Sequence, residues 1–232
     1  MYRLSPSRSL LYYLDELDAS EAALAADPLT APLAAPFHDE IAAWEPIFKK
    51  ERESRRGVIR AEAVVAVRNA TLDGHTIQFG ASVLASSGGD RKSPFFRRFF
   101  PTAPSAFVRK PLRKQCELTL HVVIAEVNKL AADHVLKPFA TTLQGFAQAA
   151  LDSLDARTTQ KGLRAATTTD IEEWKEGVNT LRISTYAELL KLAAEHGRSR
   201  AWVNAFFRQE TAGSSDELEE PAAPGGEGPE DE

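Results

Sequence analysis

Between Phe37 and about Ser86 the chain carries apolar side chains at helical intervals and never alternates as a strand would. The positions are Ile41, Trp44 and Phe48, then Val58, Ala61, Val65, Leu72, Phe79 and Val83. A second row, Ile59, Ala63, Ala66, Ala70, Gly74, Ile77, Ala81 and Leu84, lies beside the first and is rich in small residues. Two apolar flanks imply a helix packed by more than one neighbour, with small side chains allowing close approach. At 1.5 Å per residue, some 45–50 helical residues extend about 70 Å. Pro46 falls one turn inside the start, where it bends rather than ends a helix. Gly74 is the weak point at which the run would divide into two.

The remaining segments follow the same period. Ser5, Pro6 and Ser7 offer a start for a first helix over about 7–26, with Leu10, Leu14, Leu17 and Leu24 on one side. Pro28, Pro32 and Pro36 mark the loop after it. Residues 87–106 are the first real gap. A third long helix then carries Cys116, Leu120, Val123, Val127, Leu130 and His134 at the 4-3-4-3-4 spacing of a bundle seam. Beyond Pro138 the seam resumes out of register at Phe139, Leu143, Phe146 and Ala150, which predicts a kink. Residues 156–168, RTTQKGLRAATTT, read as polar linker. A capping box, Thr169 to Glu172 or Asp170 to Glu173, opens a fourth helix through about His196. Gly197 stops it, and Ser199 restarts a short helix through about Arg208.

The expected fold is therefore all-α. It is an elongated antiparallel up-down bundle of four main helices plus a short C-terminal helix, in one domain over 1–210. The segment 211–232, with proline, glycine and acids but no aromatic residue, is expected to be a disordered acidic tail.

The net charge of −5 conceals a partition. Asp216, Glu217, Glu219, Glu220, Glu227, Glu230, Asp231 and Glu232 all lie in 211–232, where there is no base. The rest of the chain holds 28 bases against 25 acids and is faintly basic. One cysteine, Cys116, excludes an intramolecular disulfide and any multi-cysteine metal centre. No apolar run approaches the roughly 20 residues that span a bilayer, and charge returns at Asp15 before a signal-peptide core can form. The expectation is a cytoplasmic protein without a membrane span.

The densest basic run is 91–114, RKSPFFRRFFPTAPSAFVRKPLRK. Arg91, Lys92, Arg97, Arg98, Arg109, Lys110, Arg113 and Lys114 stand among five phenylalanines, with no acid. Arginines interleaved with aromatics neutralise phosphates and stack on bases. Equally, Phe95, Phe96, Phe99, Phe100 and Phe107 plug a bundle end while the bases face water. These eight bases are the candidate anion or partner site. The acidic segment 211–232 has the charge to compete with an external polyanion for them.

Two further constellations stand out in the sequence. If helices two and three pair about a loop near residue 97, His75 approaches Glu117 and His121, and Arg68 approaches Glu126. With Asp73, these residues outline an interior polar cluster of the kind that holds metal in bundles, against a plain interior salt bridge with hydrogen-bonded histidines. No Glu-x-x-His occurs, so the di-iron pattern is absent. The other constellation is LLKLAAEHGRSRAWVNAFFR, 189–208. Its Ala193, Gly197, Val203 and Phe206 occupy small, turn and apolar positions, and the segment resembles the helix-turn-helix DNA-binding motif. The resemblance implies a second helix in the major groove presenting Arg198, Arg200 and Asn204. It departs from the motif at His196 and Arg198, and the alternative is that Trp202, Phe206 and Phe207 fold a terminal helix back onto the bundle.

Serine nucleophile elbows, phosphate-binding glycine loops and paired Cys/His sites do not occur. The expectation is a non-enzymatic structural or adaptor protein, a helical bundle of coiled-coil type that acts through protein partners or self-association, with no cofactor and no metal. The alternatives are a nucleic-acid-binding protein using 91–114 or 189–208, and a metal-dependent bundle enzyme.

Overall fold

The computed structural model describes residues 3–208, all helix, turn and loop; no strand occurs among them. Helix α1 (Leu10–Ala26) begins later than the serines at 5 and 7 imply, because Ser9 is the cap. Its hydroxyl accepts from the Tyr12 amide at 3.1 Å, whereas Ser5 and Ser7 bond each other at 2.8 Å. A 3₁₀ turn (Ala31–Leu33) fills the proline-punctuated loop. Helix α2 (Ala35–Ser86) runs 52 residues without ending at Pro46 or Gly74. Gly88 and Gly89, at φ 68° and 82°, close it.

Short helices follow: α3 (Pro94–Phe99), α4 (Pro104–Phe107), α5 (Leu112–Leu118) and α6 (Ile124–Asn128). One π turn (Thr119–Val123) separates the last two. Helix α7 (Pro138–Glu195) then runs 58 residues, and α8 (Arg200–Asn204) completes the described chain.

Three sequence expectations need correction. The third helix does not continue to Pro138; it ends at Asn128, and His134 lies in the non-helical stretch before α7. There its Nδ1 accepts the Leu136 amide at 3.2 Å. Pro138 starts α7 rather than kinking a longer helix. Nor is 156–168 a linker. The threonines that gave it a loop-like composition return their hydroxyls to carbonyls four residues back, Thr158 to Leu154, Thr159 to Asp155 and Thr167 to Leu163. Ionic side chains tie the same stretch to α2, so helix continues where composition alone argued for a break. The capping box at 169–173 is accordingly interior to α7.

Two compact units divide the described residues: 3–42 with 177–208, and Ala43–Glu176. The acidic segment 211–232 lies outside the described residues. In the first unit, Leu4, Tyr13, Leu17, Leu24, Phe37, Leu189 and Phe207 are buried. Asn179 clamps the N-terminal stretch, accepting the Leu4 amide at 2.8 Å and donating to its carbonyl at 3.1 Å. Tyr13 donates to the same carbonyl at 3.2 Å. Arg182, 2% exposed, meets Glu16 at 2.9 Å, and the Phe207 ring lies under its guanidinium at 5.3 Å.

In the second unit a single apolar cluster joins Leu72, Phe79 and Val83 of α2 to Phe96, Phe99, Phe100 and Phe107, to Cys116, Val123 and Val127, and to Leu143, Ala147 and Ala150 of α7. The second row of α2 does not join it. Ile59 is 60% exposed, Val67 64% and Ile77 43%, and Ala63, Ala70 and Gly74 face outward with them. Within this unit the expected second neighbour along that flank is missing.

Candidate anion-binding site

The basic–aromatic segment 91–114 folds by burying its phenylalanines and turning its bases outward. Ser93 caps α3 by accepting the Phe96 amide at 3.2 Å, and Pro94 supplies the first helical residue. Phe96, Phe99, Phe100 and Phe107 are buried, and Phe95 is half-buried. Phe79 is the centre of their packing, 5.6 Å from Phe99, 5.7 Å from Phe100 and 5.4 Å from Phe139, ring centre to ring centre. Gly80 makes the approach possible. A Cβ there would stand 2.6 Å from Cγ of Pro104, so only glycine lets α4 seat against α2. The plug reading of these phenylalanines matches their burial.

Not all eight bases are available. Arg98 donates through Nε and a terminal nitrogen to Glu126 at 2.9 and 2.8 Å, and Lys129 joins the same carboxylate. The hydrogen bonds from Lys129, then Arg98, hold the Glu126 carboxyl below its ordinary range. Arg113 meets Asp155 at 2.6 Å and Lys114 meets Glu117 at 3.4 Å. The charged groups of Arg91, Lys92, Arg97, Arg109 and Lys110 have no partner among the described residues.

Arg109 and Lys110 sit on a short turn between α4 and α5, held by buried Phe107 on one side and Pro111 on the other. The Lys110 amide donates to the Phe107 carbonyl at 3.1 Å. This turn forms one wall of an open cleft of about 800 Å³, a volume in the small-ligand range. Residues 62, 65, 66 and 69 of α2 and 154, 157 and 158 of α7 form the others. Arg157, like Arg109 and Lys110, has no partner among the described residues. Glu62 is the one acid in the lining, and Lys161 engages it at 3.1 Å. Val65, Ala66, Val108, Leu112 and Leu154 add apolar side chains to a lining that is more polar than apolar.

The cleft is thus lined by three cations that have no partner among the described residues, beside a few apolar side chains. Its lining offers no histidine, cysteine or serine, and the Thr158 hydroxyl is spent on the Leu154 carbonyl. Cations outnumber carboxylates in this lining, whose ionisable side chains are Glu62, Arg109, Lys110, Arg113 and Arg157. Arg157 is the residue the sequence reading missed, because it fell in the stretch taken for linker. Its signal was the basic row Arg157, Lys161, Arg164 along one face of a helix.

The other constellations do not assemble. The Asp73 carboxylate accepts from Gln115 at 2.8 Å and Asn69 at 3.3 Å, His75 stacks on Phe146 at 4.2 Å, and His121 is exposed. Glu117 turns to Lys114. Among the described residues no three His, Cys, Asp or Glu side chains converge in a way that could hold a metal. The expected register is off: Asp73 sits level with 115, and Glu126 is met by Arg98 rather than Arg68. His38 bonds Glu21 at 3.0 Å.

In the 189–208 segment, Gly197 turns at φ 62° and Ser199 caps α8 as expected. However, α8 is only five residues long, Phe206 and Phe207 are buried, and Asn204 is engaged by the Tyr186 hydroxyl at 3.2 Å. This geometry accords with the folded-back terminal helix. No helix among the described residues is long and apolar enough to cross a membrane. Comparison with protein-family models, with curated proteins and with solved structures finds no match to this chain.

Proposed function

We propose that the protein is a non-catalytic adaptor that engages an anionic partner through the cleft of the second unit. One observation carries the reading: Arg109, Lys110 and Arg157 line one cleft whose single carboxylate, Glu62, is engaged by Lys161. Keeping three cations close together costs repulsion that a structural role does not require, and an anionic ligand relieves it. The excess of cations over the single carboxylate of the lining, Glu62, supports an anionic ligand.

The test is retention on a heparin column with salt elution, comparing the natural chain with the variant Arg109→Glu, Lys110→Glu, Arg157→Glu. Far-ultraviolet circular dichroism serves as the folding control. The natural chain should be retained and its affinity should fall steeply with salt. The folded variant should pass through. Equal retention of both would remove the cleft from the function.

A further inference from the structure

The cleft does not stand alone. Ala66 lines it and also belongs to the apolar row that α2 leaves uncovered in its unit. Ile59, Ala63, Ala66, Val67 and Ala70 therefore make a continuous apolar strip whose edge is the cleft. Arg109, Lys110 and Arg157 stand on the cleft side. Arg56 and Arg60, exposed and without a partner among the described residues, stand at the strip's N-terminal end.

This border of cations decides among occupants. A second copy of the same face would bring further cations rather than carboxylates to this border, so self-pairing of the strip leaves its charge unmatched. A nucleic-acid strand would find phosphate contacts but no platform for its bases. The phenylalanines of 91–114 are buried or half-buried, and none lines the cleft. It would also leave Ile59 and Val67 in water. An amphipathic helix satisfies both parts of the surface, with apolar residues at i, i+3, i+4 and i+7 against the strip and carboxylates over the cations. From Ile59 to Ala70 the strip is about 17 Å long at 1.5 Å per residue, which matches three turns of a partner helix.

We infer that the anionic partner is an acidic amphipathic helical segment of another protein, laid along α2 beside the cleft; this rests on the anion-binding reading above. The probes are a fluorescent synthetic peptide of Leu, Ala and Glu with all its acids on one helical side, a scrambled peptide of identical composition, and single-stranded DNA. Each is titrated by anisotropy against the full chain and against two variants. Ile59→Gln with Val67→Gln alters the strip at exposed positions without changing charge, and the triple charge reversal of the cleft removes the cations.

The amphipathic peptide should bind about tenfold or more tightly than the scrambled one, the gain from covering two large apolar side chains. The glutamine variant should erase that gap, and the charge reversal should abolish binding of both peptides. Equal affinity of the two peptides would overturn the helix-docking inference while leaving the anionic cleft standing. DNA binding tighter than either peptide, and untouched by the glutamine variant, would overturn it in favour of nucleic acid. Failure of every probe to bind would sink both readings.

Discussion

A guanidinium as buried as that of Arg182 has to be matched by charge, and Glu16 is what matches it. Burial pulls the Arg182 pKa down and the neighbouring Glu16 carboxylate pushes it back. Removing Glu16 alone strands a buried cation, so Glu16→Ala should cost about 3–5 kcal/mol in urea unfolding. The double variant Glu16→Leu with Arg182→Met should recover most of that loss, because two well-packed apolar groups replace the pair. If the double variant is as unstable as the single one, the ion pair is more than mutual compensation.

Two other residues carry equally local arguments. Cys116 is fully buried, and burial pushes its thiol up to about 11. The unfolded thiol ionises near 8.5. A group whose folded pKa is raised loses its stabilising contribution as pH climbs from the unfolded value toward the folded one. Stability should therefore fall between about pH 8.5 and 11, and Cys116→Ala should lack that part of the fall. At neutral pH the thiol should resist an aromatic disulfide reagent until denaturant is added. Gly80 is the steric counterpart: Gly80→Ala drives a methyl into the Pro104 ring and should cost about 1–3 kcal/mol, seen as a lowered denaturation midpoint.

At the scale of the element, the instructive case is α7. Its 156–168 stretch has the threonines and charges of a loop, yet those groups are satisfied inside the helix or across to α2. Arg164 reaches the Glu51 carboxylate at 3.0 Å and the Ser54 hydroxyl at 3.3 Å, and Lys50 pairs with Asp170. Gly162 sits in the middle with nothing within 4 Å of where a Cβ would be. Because this stretch is helix, Gly162→Ala should stabilise by about 0.5–1 kcal/mol and Gly162→Pro should cost about 3 kcal/mol or more, measured by chemical denaturation. A linker would show neither effect. The same lesson runs in reverse for the third helix, where a regular seam spacing promised continuity. The π turn at Thr119–Val123 and the helix end at Asn128 broke it, because side-chain spacing does not register how the backbone is wound.

For the molecule as a whole, charge is divided rather than balanced. The segment 211–232 carries eight acids and no base, and the rest of the chain has a small excess of bases. Deleting 211–232 should raise the affinity for an anionic probe, most at low salt, because acids on the same chain lower the potential that the probe meets. Unchanged affinity across the salt range would show that the acids do not reach the field of the cleft.

The sequence by itself determined the helical class, the length of α2, the capped turn at Gly197 and Ser199, and the segment that holds the bases. Each is a local consequence of period, cap or composition. It also identified the apolar second row of α2. What covers that row was beyond it, since periodicity reports that a face is apolar and not whether a neighbour arrives. Tertiary structure alone decided which bases are spent on Glu126, Asp155 and Glu117 and which stay free. It alone brought Arg157 from α7 to Arg109 and Lys110, some 50 residues away along the chain. Pairing and convergence depend on distances between residues remote in sequence, and those exist only once the helices have packed.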